Sequence, residues 1–293
     1  MIPPWRASGP EQPACPLLLT SPHSGTHMPA PFLAATSLPR RRLRQFEDAH
    51  VGALLEGAVA AGMPLVEATH ARAFLDLNRD ETELDRSMFA GALDLPVRPT
   101  NRVRAGYGVI PRQVGPEVMI YRDLLPAAEA RRRIHGLHRP WHQELARRLD
   151  AIRAQHGAVV LLDCHSMPSL PTISGPPAQV VIGDLHGQSA APPLSDALHR
   201  LLLARGFRVA RNQPYAGGYT TRRHAAPTDG IHVLQLEIDR ALYMDQETLR
   251  PRAAFPAMVS ILAGVLGSLA AEAHAMLPLL RPGGKDPLLL AAE

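Results

Sequence analysis

A chain of 293 residues, 46% of them hydrophobic, can build one large α/β domain or two small ones and needs no metal or disulfide staple to fold. Two cysteines, Cys15 and Cys164, are too few for a secreted disulfide framework. The net charge of +4 is almost wholly arginine, with Lys285 the sole lysine and aromatics at 4%, which argues against nucleic acid as a partner because no stacking platform accompanies the charge.

The leading segment MIPPWRASGPEQPACP places prolines where a signal peptide needs an unbroken apolar stretch. No later run is expected to approach the length of a membrane span, so the expectation is a soluble, cytoplasmic protein with no membrane partner. PLLLTS (16–21) predicts a strand, and HSGTHMP follows as a loop that puts His23 just past the strand end. Residues 45–61 have helical periodicity, and MPLVEA and RAFLDL read as two short strands leading to Asn78 and Arg79. Residues 86–122, rich in Pro, Gly and Arg, predict a long loop region. An Arg-rich helix over 126–155, interrupted near Pro140, leads into a strand at 158–163. Then come the strand AQVVIGD, a helix at 194–205, the strand GFRVA, the loop NQPYAGGYTTRRH, the strand IHVLQLEI (231–238) and a helix over 248–274. Residues 1–280 are expected to form one domain, with 281–293 a loosely attached tail. The alternation of strands and helices predicts an α/β fold: three layers, α/β/α, around a mixed, largely parallel sheet.

Chemistry gathers at the predicted strand ends: His23, then Asn78 and Arg79, then Asp163 and His165 in LLDCHSMPS, then Glu237 in VLQLEI. In a largely parallel sheet such ends lie along one edge, where ligands bind. Two imidazoles from separate strands suit a transition metal, and hydrolytic zinc is commonly held by three His and carboxylate ligands with one position open. Asp48 is the candidate third ligand, because on a helical wheel it shares a face with Val51, Leu55 and Val59, and a buried carboxylate needs a cation. Glu47 is the alternative. Asp163 and Ser166 stand ready to orient His165, or Asp163 simply satisfies local donors. A cysteine nucleophile at 164 is disfavoured, since its side chain should point opposite to Asp163 and His165.

SPHSGTHMP, FLDLNR, LLDCHSMP, NQPYAGGYTT and LQLEIDRALYMDQET, in this order from about Leu18 to about Thr248, together resemble the N-formylglutamate amidohydrolase family. That family is in turn similar to the zinc carboxypeptidase and aspartoacylase group. The resemblance implies a zinc-carboxypeptidase-like fold, Zn2+ held by His23 and His165, and Glu237 as the general base. It implies that Asn78 and Arg79 bind a substrate carboxylate, and that N-formyl-L-glutamate is cleaved to formate and L-glutamate in histidine degradation. One departure is Thr26, which stands where the carboxypeptidase group has its acidic ligand, so Asp48 or Glu47 must serve. An anionic N-acyl amino acid calls for guanidinium groups, and Arg112, Arg222 and Arg240 are candidates beside Arg79. Asn212 and Tyr219 in the Gly217–Gly218 loop are further candidates for substrate contact. Rival readings are a zinc hydrolase for another N-acyl amino acid or a short peptide, and a non-catalytic zinc- or carboxylate-binding relative. The sequence leaves oligomeric state open.

Overall fold

The computed structural model describes residues 2–172 and 175–284. Its strands are β1 (Trp5–Ser8), β2 (Leu17–Ser21), β3 (Leu65–Ala68), β4 (Phe89–Ala90), β5 (Leu125–Pro126), β6 (Val159–Met167), β7 (Val180–Gly183), β8 (Val209–Arg211) and β9 (Ile231–Asp239). A 7-stranded sheet runs β1-β3-β2-β6-β9-β7-β8, while β4 and β5 form a separate small ladder. β2 with β6, β6 with β9, and β7 with β8 pair in parallel, and β7 meets β9 antiparallel. The protein is therefore α/β, with a mixed and largely parallel sheet.

The chain clusters into two compact units. One contains Pro22–Ala49 and Glu67–Glu144; the other contains Ala7–Ser21, His50–Val66 and the chain from Leu145 onward. In the second unit every residue of β6 is buried, which is what a strand between two parallel neighbours requires: both faces are covered, so VVLL needs no polar alternation. The helix Phe255–Ala275 buries Met258, Leu262, Val265, Leu266, Leu269, Ala270 and Ala273, a stripe at three- and four-residue spacing in which each large side chain is worth roughly 1.5–3 kcal/mol. It packs on the helices Glu56–Ala60 and Pro192–Leu203. Gly57 permits the first of these packings, since a Cβ there would stand 3.0 Å from that of Ala263.

At 21 residues this helix is long and apolar enough to cross a membrane by length and composition, which corrects the expectation that no run approaches a span. Its buried stripe accounts for the apolar residues on that face as core. It begins later than predicted, with Pro256 in its first turn, where a missing N–H costs little.

The 45–61 helix is also corrected. Short helices occupy Arg40–Arg44, Val51–Leu54 and Glu56–Ala60, and between the first two the chain turns through His50 at φ 67°, a left-handed conformation that ends helical propagation. RAFLDL is not a strand either. Phe74 and Leu75 donate their N–H groups back to the Ala71 carbonyl, so the segment is a buried series of turns.

The 86–122 stretch is largely irregular as predicted, holding a 3-10 turn at Arg86–Met88, the two-residue strand β4 and a short α-helix at Asn101–Arg104. Side chains fix it: Thr100 caps that helix by accepting from the Val103 N–H and donates to Glu83, and Arg112 pairs with Asp85 at 2.7 Å. Such a cap contributes about 0.5–2 kcal/mol. Near Pro140 the long helix is not broken. Ala127–Arg133 continues through a π-turn at Ile134–His138 into Arg139–His156. Of the expected tail 281–293, residues 285–293 lie outside the described residues.

Candidate metal centre and active site

In the unit containing Pro22–Ala49, His23 follows β2 directly and is 2% exposed. Its Nδ1 lies 3.2 Å from Asp48 Oδ2 and its Nε2 lies 2.7 Å from Asp76 Oδ1. Asp48 reaches this position from the turn before Val51–Leu54 rather than from a helix face, tied by its N–H to the His23 carbonyl at 3.0 Å. Glu47 points elsewhere: its carboxylate accepts from Arg44 Nε at 3.1 Å.

Asp76 is fully buried, and burial pushes its carboxyl upward. The charges of Arg72, His23 and Arg79 outweigh that and hold it well below the usual carboxylate range. Arg72 Nε donates to Oδ2 at 2.9 Å, and the Asn78 N–H donates to Oδ1 at 2.9 Å. In the neutral tautomer that an ionised Asp76 favours, the proton sits on Nε2 and the Nδ1 lone pair faces Asp48, whereas in the imidazolium both ring nitrogens donate to carboxylates.

Arg79 is held by the Tyr107 and Asn78 carbonyls at 3.2 and 3.0 Å and stands 4.0 Å from Asp76. Burial lowers its guanidinium to about 10, with Asp76 opposing the shift, so it remains cationic at neutral pH. Asn78 is buried beside it. Arg112 donates to Asp85 and to the Arg104 carbonyl, a partly exposed place on the irregular stretch.

In the other unit, Asp163 and His165 share a face of β6 with the Asp163 carboxylate 3.0 Å from His165 Nε2. The parallel register sets Asp163 beside Gln235 and His165 beside Glu237, so the central pair of strands carries two successive polar rungs on one face. Gln235 Nε2 donates to Glu237 Oε1 at 2.9 Å. Cys164 alternates to the opposite face, and burial, then Asp163, push its thiol well above the usual range, which removes it as a nucleophile.

Ser166 accepts from Arg240 Nε at 3.0 Å. The Asn212 side chain is engaged locally, accepting from the N–H groups of Asp184 and His186 and donating to Asp184 Oδ1. Its amide pins that turn rather than standing open. Tyr219 accepts from Arg223 at 3.0 Å, and Arg222 is exposed. Gly217 has φ 137°, a backbone suited to glycine, where a side chain would also strike Leu185.

His23, Asp48 and His165 form a buried group whose ligand atoms, one from each residue, lie within 4.8 Å of one another. Two imidazoles and a carboxylate are a donor set suited to zinc, so these residues fit the implied ion. Asp76 escaped the sequence reading, although it lies inside FLDLNR; the signal was an acid inside an apolar run. His138 and His142, both buried, were missed too, and their i, i+4 spacing was the available sign.

Nearby in the chain, His224 is buried, and burial with the charge of Arg223 pulls its imidazole from 6.5 to about 3. Between those pH values the unfolded chain binds a proton that the folded protein refuses, so stability rises with pH across that window and is lost as pH falls. His224→Gln should flatten the fall of Tm between pH 6.5 and 4 relative to the parent. An identical slope in the variant would show that His224 does not titrate this way.

The family model for N-formylglutamate amidohydrolase matches residues 15–244. An N-formylglutamate deformylase of Pseudomonas putida is 30% identical over 236 residues, 79% of this chain and 82% of the relative. That of Pseudomonas aeruginosa is 29% identical over 237 residues, 79% and 83% of the two chains. The crystal structure of N-formylglutamate amidohydrolase from Ralstonia eutropha superposes with a TM-score of 0.88 at 35% identity, covering 94% of this chain and 99% of that one. A gene product of Agrobacterium tumefaciens shares the fold at TM-score 0.67 and 19% identity, covering 94% and 96%.

Proposed function

We propose that this chain, which belongs to the N-formylglutamate amidohydrolase family, hydrolyses N-formyl-L-glutamate to formate and L-glutamate with Zn2+ held by His23, Asp48 and His165. It is a hydrolase of linear amide C–N bonds. The observation that carries the metal assignment is the buried His–Asp–His group, with the Asp76 carboxylate 2.7 Å from His23 Nε2, on the opposite side of the ring from Asp48. When bound, the ion supplies a positive charge that polarises the formyl carbonyl and acidifies the attacking water.

The chain's own residues do the rest. Glu237 takes the proton from water as the new C–O bond forms, then delivers it to the amine as the C–N bond breaks. Arg79 and Asn78 receive a substrate carboxylate, for which a rigid guanidinium is suited. Asp163, its carboxylate 3.0 Å from His165 Nε2, places a buried acidic group beside that ring. Arg240 and Ser166 are assigned a supporting place at the ends of β9 and β6, while Arg112, Arg222 and Tyr219 remain candidates for the far end of the substrate. On this reading residues 1–280 act as one amidohydrolase domain in the cytoplasm, in histidine degradation, on a small anionic substrate.

The test is formate release from N-formyl-L-glutamate by purified protein, beside the N-acetyl and N-succinyl analogues. Chelation should abolish release and zinc should restore it. Activity unaffected by exhaustive chelation would overturn the metal assignment, and turnover confined to another acyl group would overturn the substrate.

A further inference from the structure

The segment Phe74–Arg79 carries Asp76, Asn78 and Arg79, yet it belongs to no strand or helix. Buried carbonyls in such a segment need donors from outside it, and a single helical run supplies them. Arg133 Nη1 donates to the Phe74 carbonyl at 2.8 Å, His142 Nε2 to the Leu77 carbonyl at 3.0 Å, and His138 Nε2 to the Arg79 carbonyl at 2.8 Å. Both histidines are 1% exposed, and their rings lie 4.6 Å apart. The last two bonds flank Asn78 and close on Arg79 itself.

The spacing of the donors explains the π-turn. In an unbroken α-helix, residues five apart diverge by roughly 140°, so Arg133 and His138 would not share a face. The π-turn at Ile134–His138, closed by the Arg139 N–H on the Ile134 carbonyl, takes up one extra residue. Arg133, His138 and His142 are thereby brought to point the same way. Pro140 favours this local widening, because it offers no N–H to the Gly136 carbonyl and its ring would crowd that carbonyl in an α-turn.

We propose that His138 and His142 are positioning residues of the active site, holding the backbone of 74–79 so that Asp76 meets His23 and Asn78 and Arg79 meet the substrate carboxylate. The consequence for substrate rests on the carboxylate-binding role proposed above; the consequence for the segment does not. Phe at either position keeps a ring in the core and removes the donor, whereas Gln restores a donor near the Nε2 position. His138→Phe and His142→Phe should each raise KM about tenfold, from the loss of one buried carbonyl partner, with kcat changed less and zinc content equal to the parent. Hydrogen exchange of peptides spanning 74–79 should quicken in both variants and return toward the parent rate in His138→Gln and His142→Gln.

A structural role alone would lower Tm without the KM shift or its rescue. Unchanged exchange at 74–79 in the Phe variants overturns the proposal, as does a Gln variant no better than its Phe counterpart. Arg79→Gln, measured alongside, separates the two readings. If its KM equals the parent's, the carboxylate role of Arg79 is wrong, and the exchange data alone then decide whether the histidines hold the segment.

Discussion

Glu237→Gln is expected to lower kcat for formate release by about 10²–10⁴-fold while zinc content and Tm stay near the parent values. The physical ground is the site of Glu237 on β9, beside His165 in the parallel register and 8% exposed. A carboxylate there, on the same rung as the imidazole of His165, is proposed to take a proton from water. Gln keeps the volume and still offers an oxygen to the Gln235 amide, which donates to Glu237 Oε1 at 2.9 Å, so the fold should tolerate the change. What disappears is the basicity, and the expected loss corresponds to about 3–5 kcal/mol of barrier. Formate release and bound zinc are measured on the same preparation. Loss of zinc in the variant would make Glu237 a ligand rather than a base, and near-parental kcat would remove it from the chemistry.

The parts of this site that were legible in the sequence are those that short-range pattern encodes. His165 and Glu237 sit on long apolar strands whose ends are obvious, and the parallel pairing of β6 with β9 follows from two buried runs joined through intervening structure. His23 was legible for the same reason. Asp48 was singled out for being buried, and it is 1% exposed, but the wheel that suggested it describes a helix the chain does not form. A left-handed His50 decides that, and a single residue's φ leaves no periodic trace. The strand expected at RAFLDL failed because apolar content alone does not distinguish a ladder from a buried turn whose carbonyls are satisfied by distant side chains. Those donors, Arg133, His138 and His142, lie 59 to 65 residues away in sequence. Asn212 illustrates the converse: a polar residue in a glycine-rich loop looks available for ligand, yet its amide is consumed by the turn at Asp184.

Asp48→Asn is expected to weaken zinc binding beyond the ~10–100-fold that loss of an outer-shell partner costs, and to abolish formate release at stoichiometric zinc. Glu47→Gln should leave both near the parent values and lower Tm instead. The contrast follows from where the two carboxylates point. Asp48 Oδ2 is 3.2 Å from His23 Nδ1 and belongs to the group with His165, while Glu47, equally buried, faces Arg44 at 3.1 Å. Thermal unfolding with and without zinc gives a readout independent of turnover. An ion that binds only the folded protein stabilises it by about 2.7 kcal/mol at a hundred times its Kd, so zinc should raise the Tm of the parent and of Glu47→Gln but barely that of Asp48→Asn. Zinc-dependent stabilisation retained in Asp48→Asn and lost in Glu47→Gln would exchange the roles of the two acids. Stabilisation retained in both would mean that the third ligand lies elsewhere.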